Sequence, residues 1–157
     1  MHSPIEQSED HLKLLGVITA RWATLDLTLS ALVGEAIGNR DAGEDIYFSS
    51  SAQRLRFDLI RALIQHANWS DDDKTMISRA VEALDGLWTR RNDILHNPAI
   101  RQYRGDGRHE YEARSIRPAR KVRSAFIPLS LKELEEHAEA VSQHGWRNLG
   151  LCLARCD

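Results

Sequence analysis

The sequence predicts an all-α fold: an up-down four-helix bundle with a basic β-hairpin or arm inserted between helices 3 and 4. Three observations support this prediction. The chain has 157 residues, 42% hydrophobic and 28% charged, which is the composition of one ordinary globular domain. Apolar residues recur every three or four positions over long segments. This helical period disappears between about residues 99 and 128, so we expect residues 1–157 to form a single helical domain with an arm at about 99–128.

The first two helices follow from this period and from the residues that interrupt it. The first predicted helix covers Leu12 to Ile37, and Gly38-Asn39 ends it. The polar residues 40–45 and the serines at 49–51 predict a connection. A second helix is predicted over residues 52–67, with its leucines and isoleucines on one side.

Two capping patterns place the remaining helices. Ser70 precedes three aspartates, which supplies an N-cap and an acidic first turn for a third helix. That helix runs to about Asn97, because Pro98 disfavours the α conformation of the residue before it. Ser130 and Glu133 have the spacing of a capping box that opens the last helix. Four amphipathic helices with short early connections pack most simply as an up-down bundle.

The predicted arm concentrates the positive charge of the chain. Residues 101–123 hold eight basic and three acidic side chains, in a chain whose net charge is -2. The run Arg104-Gly105-Asp106-Gly107-Arg108 predicts a turn between extended segments around Tyr103 and Tyr111. Such a segment attracts an anionic polymer, and a solvated arginine-rich loop is the alternative. The candidate RNA-binding cations are Arg101, Arg104, Arg108, Arg114, Arg117, Arg120, Lys121 and Arg123.

Other patterns argue against a membrane segment, a metal or a cofactor. The longest apolar stretches, such as Ala31 to Val33, are far shorter than the roughly 20 residues that cross a bilayer, and Met1 to Asp10 is acidic. Cys152 and Cys156 are too few for a disulfide framework and lack a second pair that would complete a zinc site. There is no glycine-rich phosphate loop, HExxH or GxSxG motif. We therefore expect a cytoplasmic protein without metal, cofactor or membrane partner.

The third helix places an arginine where the pattern calls for an apolar side chain. On a helical projection, Ile77 and Leu84 lie on the apolar line, and Arg91 lies about 40° from Ile77. A guanidinium at such a position needs a partner or an opening. Asn92 and His96 lie beside the stripe, one turn apart. A cation-capable imidazole beside a fixed cation calls for an anion between them, and phosphate is the obvious candidate.

Asp26 offers a structural alternative for Arg91. It interrupts the apolar run of the first helix beside Trp22 and Leu29, so it is the natural partner for a buried guanidinium. This pair would explain Arg91 but not His96. A histidine at a helix end is, however, often a capping or surface residue rather than a catalyst.

The segment Arg91-Asn92-Asp93-Ile94-Leu95-His96 resembles the motif of the HEPN superfamily (higher eukaryotes and prokaryotes nucleotide-binding). That motif is an arginine, often followed by Asn, Asp or His, then a histidine after four to six residues, late in the third helix of a four-helix bundle. Two other segments, Arg61 to His66 and Arg104 to His109, share the spacing without the following Asn or the late helical position. The architectural resemblance covers about residues 12–97 and 130–154.

The resemblance implies a metal-independent endoribonuclease, usually a homodimer in which two motifs face each other across a cleft. His96 would act as general base or acid at the 2′-hydroxyl or the leaving oxygen, and Arg91 would stabilise the charge on the phosphorane. Asn92 would orient His96 or the phosphate. The product would end in a 2′,3′-cyclic phosphate, and DNA would not be cut because it lacks the nucleophile.

Three functional hypotheses therefore remain open. Many HEPN members act as toxins or in defence against phage, often beside a nucleotidyltransferase-like antitoxin, which would be a possible partner of an RNase. Other members have lost activity, so the second hypothesis is a catalytically inactive dimeric module that binds a nucleotide or a protein. The third is a structural helical protein in which Arg91 pairs with Asp26.

Overall fold

The computed structural model describes residues 9–96, 99–103, 109–114, 126–128 and 130–149, which are predominantly helical. The α-helices are α1 (Glu9–Ile37), α2 (Arg40–Ser49), α3 (Gln53–His66), α4 (Asp71–His96) and α5 (Leu131–Ser142), and a π-helical segment (Gln143–Leu149) follows α5. The strands are β1 (Ala99–Tyr103), β2 (His109–Arg114) and β3 (Phe126–Pro128). The helices are compatible with the predicted helical bundle.

The chain forms two compact units, each built from separated segments. Unit 1 consists of Met1–Thr19 and Trp88–Glu139, and unit 2 consists of Ala20–Leu87 and Ala140–Asp157. Helices α1 and α4 contribute residues to both units. The expectation of one domain over residues 1–157 stays a prediction.

Each unit has its own buried apolar side chains. In unit 1 these are Ile18, Ile94, Leu134 and Ala138. In unit 2 they include Trp22, Leu25, Leu29, Leu32 and Val33 from α1, Tyr47 from α2, Phe57, Ile60 and Ile64 from α3, and Ile77, Ala80, Val81 and Leu84 from α4. Burying one such side chain contributes about 1.5–3 kcal/mol, so these stripes hold the helices together.

The predicted caps of α4 and α5 are present. The Ser70 hydroxyl accepts a hydrogen bond from the Asp73 amide at 3.1 Å, before the acidic first turn of α4. The Ser130 hydroxyl accepts from the Glu133 amide at 3.2 Å, and the Ser130 amide donates to the Glu133 carboxylate at 2.9 Å. This reciprocal pair is a capping box, and the predicted start of the last helix is confirmed.

The end of α1 is also confirmed. Gly38 has a φ of +70°, in the left-handed region that favours glycine. The Asn39 amide donates to the Gly34 carbonyl at 3.0 Å, and the Gly38 amide donates to the Glu35 carbonyl at 3.2 Å. These two bonds form a Schellman cap, which ends α1 and allows another helix to begin at residue 40.

Helix α2 corrects the predicted connection over residues 40–45. The Asn39 side chain caps it by accepting from the Ala42 amide at 3.1 Å. The helix buries Gly43 and Tyr47, so its 10 residues contain no apolar stripe that would show the 3.6-residue period of a helix. The described residues therefore form five α-helices where the sequence predicted four. The last helix also departs from expectation, since it changes to π-helical geometry at Gln143.

Between α4 and α5 the described residues form an antiparallel three-stranded sheet of order β1-β2-β3. Ala99 lies opposite Ala113 and Tyr103 opposite His109 in the β1–β2 pair. In the β2–β3 pair, Arg114 lies opposite Phe126. Strand β3 is an element that the sequence prediction did not contain.

Helices α1 and α2 cross at two glycines that leave no room for a side chain. A Cβ atom built on Gly43 would collide with the Gly34 Cα, and one built on Gly34 would lie 2.8 Å from the Arg40 Cα. Both separations are shorter than real Cβ contacts, and the obstructing atoms are backbone atoms that cannot swing aside. The two backbones therefore touch at this crossing.

Gly43→Ala should destabilise the protein by about 3 kcal/mol, because the added methyl group must push the α1 and α2 backbones apart. Urea unfolding followed by far-ultraviolet circular dichroism measures this change. Gly86→Ala is the matched control, since a Cβ at Gly86 meets no atom within 4 Å. The control should be neutral or more stable by up to about 1 kcal/mol. Equal stability of the two variants would contradict the crossing.

Candidate functional site

Arg91 and Asn92 lie near the C-terminal end of α4 and are half-buried. The Arg91 Nη1 donates a hydrogen bond to the Asn92 Oδ1 at 3.0 Å. The guanidinium carbon of Arg91 lies 4.7 Å from the centroid of the Trp88 ring. A planar cation that stacks on an indole and donates to an amide loses much of its rotational freedom. These two contacts hold the Arg91 guanidinium in a preferred orientation.

His96 is the last residue of α4, and the position of its imidazole lies outside the described part of the structure. The helical backbone places His96 one turn after Asn92, on the same side of α4. Arg91 and His96 are separated by about 140° around the helix axis and about 7.5 Å along it. Asn92 contacts Arg91 and lies one turn before His96 along α4.

Arg90 connects the end of α4 to the start of α5. Its Nη2 lies 3.7 Å from the Glu133 Oε1, and both side chains are about one-third exposed. The same carboxylate accepts the Ser130 amide in the capping box. An ion pair this exposed contributes less than about 1 kcal/mol, so the contact between Arg90 and Glu133 adds little to stability beyond the capping box of α5.

His137 lies one turn after Glu133 on α5 and is 5% exposed. Burial, and then the nearby positive charge of Arg90, lower the pKa of His137 to about 4. The imidazole is therefore neutral at physiological pH. A buried neutral histidine is part of the packing of unit 1 and is not accessible to a substrate.

Asp26 lies in a polar cluster that joins three helices of unit 2. The Tyr47 hydroxyl donates to the Asp26 Oδ1 at 2.6 Å, and the Gln53 Nε2 donates to the same oxygen at 3.2 Å. The Arg56 Nη1 lies 3.6 Å from that oxygen. Burial, and then the charge of Asp26, raise the pKa of Tyr47 well above its ordinary value. Asp26 thus holds α2 and α3 against α1.

Sequence reasoning missed the partners of Asp26. Tyr47 falls in the segment predicted to be non-helical, and a single Gln53 or Arg56 carries no periodic signal. The one available signal was Asp26 itself, since a carboxylate within an apolar run requires partners. Asp26 and Arg91 belong to different units, and their pairing stays a prediction.

The predicted RNA-binding cations fall in the segment between α4 and α5. Arg101 lies in β1 opposite Tyr111, and Arg114 lies in β2 opposite Phe126. The other six, Arg104, Arg108, Arg117, Arg120, Lys121 and Arg123, lie outside the described residues, as do Cys152 and Cys156. The role of these cations in RNA binding stays a prediction.

Metal and membrane features are absent from the described ranges. There, no group of three or more His, Cys, Asp or Glu side chains is arranged to hold a metal ion. No helix among the same residues has the length and apolar character needed to cross a membrane.

Comparisons with protein-family models, with curated proteins and with solved structures find no match to this chain. The resemblance to the HEPN superfamily therefore stays a prediction. It depends on Arg91, Asn92 and His96 and on the helical architecture around them.

Tyr47→Phe and Asp26→Ala should be coupled, because each removes one partner of the same part-buried hydrogen bond. In a double-mutant cycle of urea unfolding, we expect an interaction energy of about 1–2 kcal/mol. Asp58, which is exposed on α3, supplies the control, and Tyr47→Phe with Asp58→Ala should be additive within about 0.5 kcal/mol. Additivity of the first pair would show that the cluster does not act as a unit.

Folding stability should decrease as the pH falls from about 6.5 towards 4, because the unfolded chain protonates His137 while the folded chain keeps it neutral. The free energy of unfolding lost in this way is at most about 3 kcal/mol, and none is lost above the pKa that His137 has in the unfolded chain. His137→Leu should flatten this decline in urea unfolding measured across that pH range. His66→Gln, at an exposed position, is the matched control and should keep the decline of the parent.

Proposed function

We propose that this protein is a metal-independent endoribonuclease of the HEPN type, in which an RNA 2′-hydroxyl attacks the adjacent phosphodiester. The observation that supports this best is the Arg91 guanidinium, half-buried at the end of α4 and oriented by Trp88 and Asn92. A cation that is already oriented stabilises the charge that develops on a phosphorane without reorganising during the reaction. A phosphodiester matches the fixed fork of N–H donors that a guanidinium presents.

In this proposal, His96 removes the proton from the 2′-hydroxyl as the bond from that oxygen to phosphorus forms. The bond from phosphorus to the 5′-oxygen breaks, and the leaving oxygen takes a proton from an acid, either His96 of a second copy or water. Arg91 contacts the non-bridging oxygens, and Asn92 orients His96 from one turn away. The products are a 2′,3′-cyclic phosphate and a free 5′-hydroxyl.

The proposal extends to architecture and partners. Helices α1, α3, α4 and α5 would form the up-down four-helix arrangement of the family, with α2 as an addition. Two copies would bring their motifs together, and the arm from 99 to 128 would bind RNA phosphates without reading bases. A toxin or phage-defence role in the cytoplasm would add a nucleotidyltransferase-like antitoxin as partner.

Purified protein should cleave RNA in the presence of EDTA, and both Arg91→Ala and His96→Ala should reduce the rate at least about 100-fold. Arg79→Ala and His66→Gln are matched controls, since both positions are exposed on neighbouring helix surfaces and lie outside the motif. A substrate with a single 2′-deoxy nucleotide at the cleaved position should resist cleavage, because it lacks the nucleophile. Circular dichroism verifies that every variant is folded.

Cleavage by both motif variants at the rate of the parent would contradict this assignment. Saturable binding of RNA, a nucleotide or a protein without turnover, lost in Arg91→Ala, would instead support the inactive binding module. Loss of folding in Arg91→Ala would instead support a structural role for Arg91, whereas Asp26→Ala is expected to destabilise the fold through its own contacts with Tyr47 and Gln53.

A further inference from the structure

Arg90 directly precedes the motif arginine on α4 and is held in a different way. The Arg91 guanidinium stacks on Trp88 and donates a hydrogen bond to Asn92, and these two contacts orient it. The Arg90 Nη2 lies 3.7 Å from the Glu133 Oε1, which is beyond the usual length of a hydrogen bond. The Arg90 side chain is 31% exposed. Its contact with Glu133 is therefore a loose ion pair that solvent can reach.

The two oxygens of the Glu133 carboxylate have different partners. Oε2 accepts hydrogen bonds from the Ser130 amide and from the Ser130 hydroxyl, both at 2.9 Å. Oε1 contacts Arg90. The capping box therefore keeps the carboxylate in place and hydrogen-bonded when the guanidinium leaves. Release of Arg90 from an ion pair this exposed costs no more than about a fivefold factor in the equilibrium constant.

A phosphate group is a better partner for Arg90 than this carboxylate is. A guanidinium donates two parallel hydrogen bonds of about 2.8 Å to a phosphate, and such charge-assisted bonds are roughly twice as strong as neutral ones. The 3.7 Å contact with Glu133 is too long for a bond of this kind. The side chains of residues 90 and 91 leave α4 about 100° apart, so the two guanidiniums face different phosphates of one bound strand.

We infer that Arg90 is a second phosphate-binding residue of the RNA site, and that it exchanges the Glu133 carboxylate for a phosphate when RNA binds. This inference rests on the proposed function. Arg91 contacts the phosphodiester that is cleaved, and Arg90 contacts a neighbouring one on the same strand. Because phosphates carry no sequence information, Arg90 adds affinity without selecting bases. The Glu133 carboxylate competes with the RNA, so its charge limits how tightly the site binds.

Fluorescence anisotropy of a short labelled single-stranded RNA measures binding to the His96→Ala protein, the reference, which lacks the proposed base and leaves the RNA intact. In this reference, Arg90→Ala should weaken binding about tenfold and reduce the slope of log K against log salt by about 0.7, because one phosphate contact is lost. Arg90→Lys should keep the slope but recover only part of the affinity, since an ammonium lacks the paired donors. Arg79→Ala removes the same charge from an exposed position on α4 and should bind like the reference.

Glu133→Gln tests the competition between carboxylate and RNA. Glutamine also forms a capping box, so the start of α5 is kept while the charge that attracts Arg90 is removed. RNA binding should tighten about threefold, and this gain should vanish in the Arg90→Ala background. Glu135→Gln is the matched control, since it removes an equal charge from an exposed position on α5. Its effect should be smaller and should not depend on Arg90.

An affinity and a salt slope that Arg90→Ala leaves unchanged would overturn this inference alone, because the reference would still bind RNA through the motif. So would a gain from Glu133→Gln that persists in the Arg90→Ala background. A reference protein that binds no RNA at low salt would overturn the inference together with the proposed function. Circular dichroism verifies that each variant is folded, and Arg90→Lys and Glu133→Gln keep the test decisive if Arg90→Ala is not.

Discussion

The backbone contact between Gly34 and Gly43 is the constraint on which the arrangement of α1, α2 and α3 depends. A helix as short as α2 is marginal in isolation, and this one buries two residues, one of which is Gly43 itself. Close approach of the backbones brings Tyr47 within hydrogen-bond distance of Asp26. Asp26 also contacts side chains of α3. The glycine crossing and the Asp26 carboxylate together therefore join three helices.

Helix limits were predictable where local chemistry determines them. Gly38, Ser70 and the Ser130–Glu133 pair act within one turn of their own position, so their effect can be deduced from neighbouring residues. Helix α2 was not predictable in this way, because it packs on α1 through a pair of glycines. Glycine has no side chain, so it adds no signal to a hydrophobicity pattern. The pairing of strand β3 with β2 likewise depends on contacts between separate segments, which hydrophobic periodicity does not predict.

The candidate site shows the same difference between local features, which the sequence predicts, and contacts of distant residues, which it does not. A helical projection places Arg91 about 40° from Ile77, because that position depends on helix geometry alone. Its contact with Trp88 follows from two residues three positions apart, and its bond to Asn92 from adjacent residues. The partners of Asp26, by contrast, come from α2 and α3, 21 to 30 residues along the chain, and no local rule could have identified them.

The double use of the Glu133 carboxylate has a consequence for motion in unit 1. It closes the capping box of α5 and also contacts Arg90, beside the motif arginine on α4. If the first turn of α5 frays, the capping box and the contact with Arg90 are lost together. The amide protons at the start of α5 and the orientation of the Arg90 side chain are therefore expected to respond together, as one cooperative opening rather than two independent fluctuations.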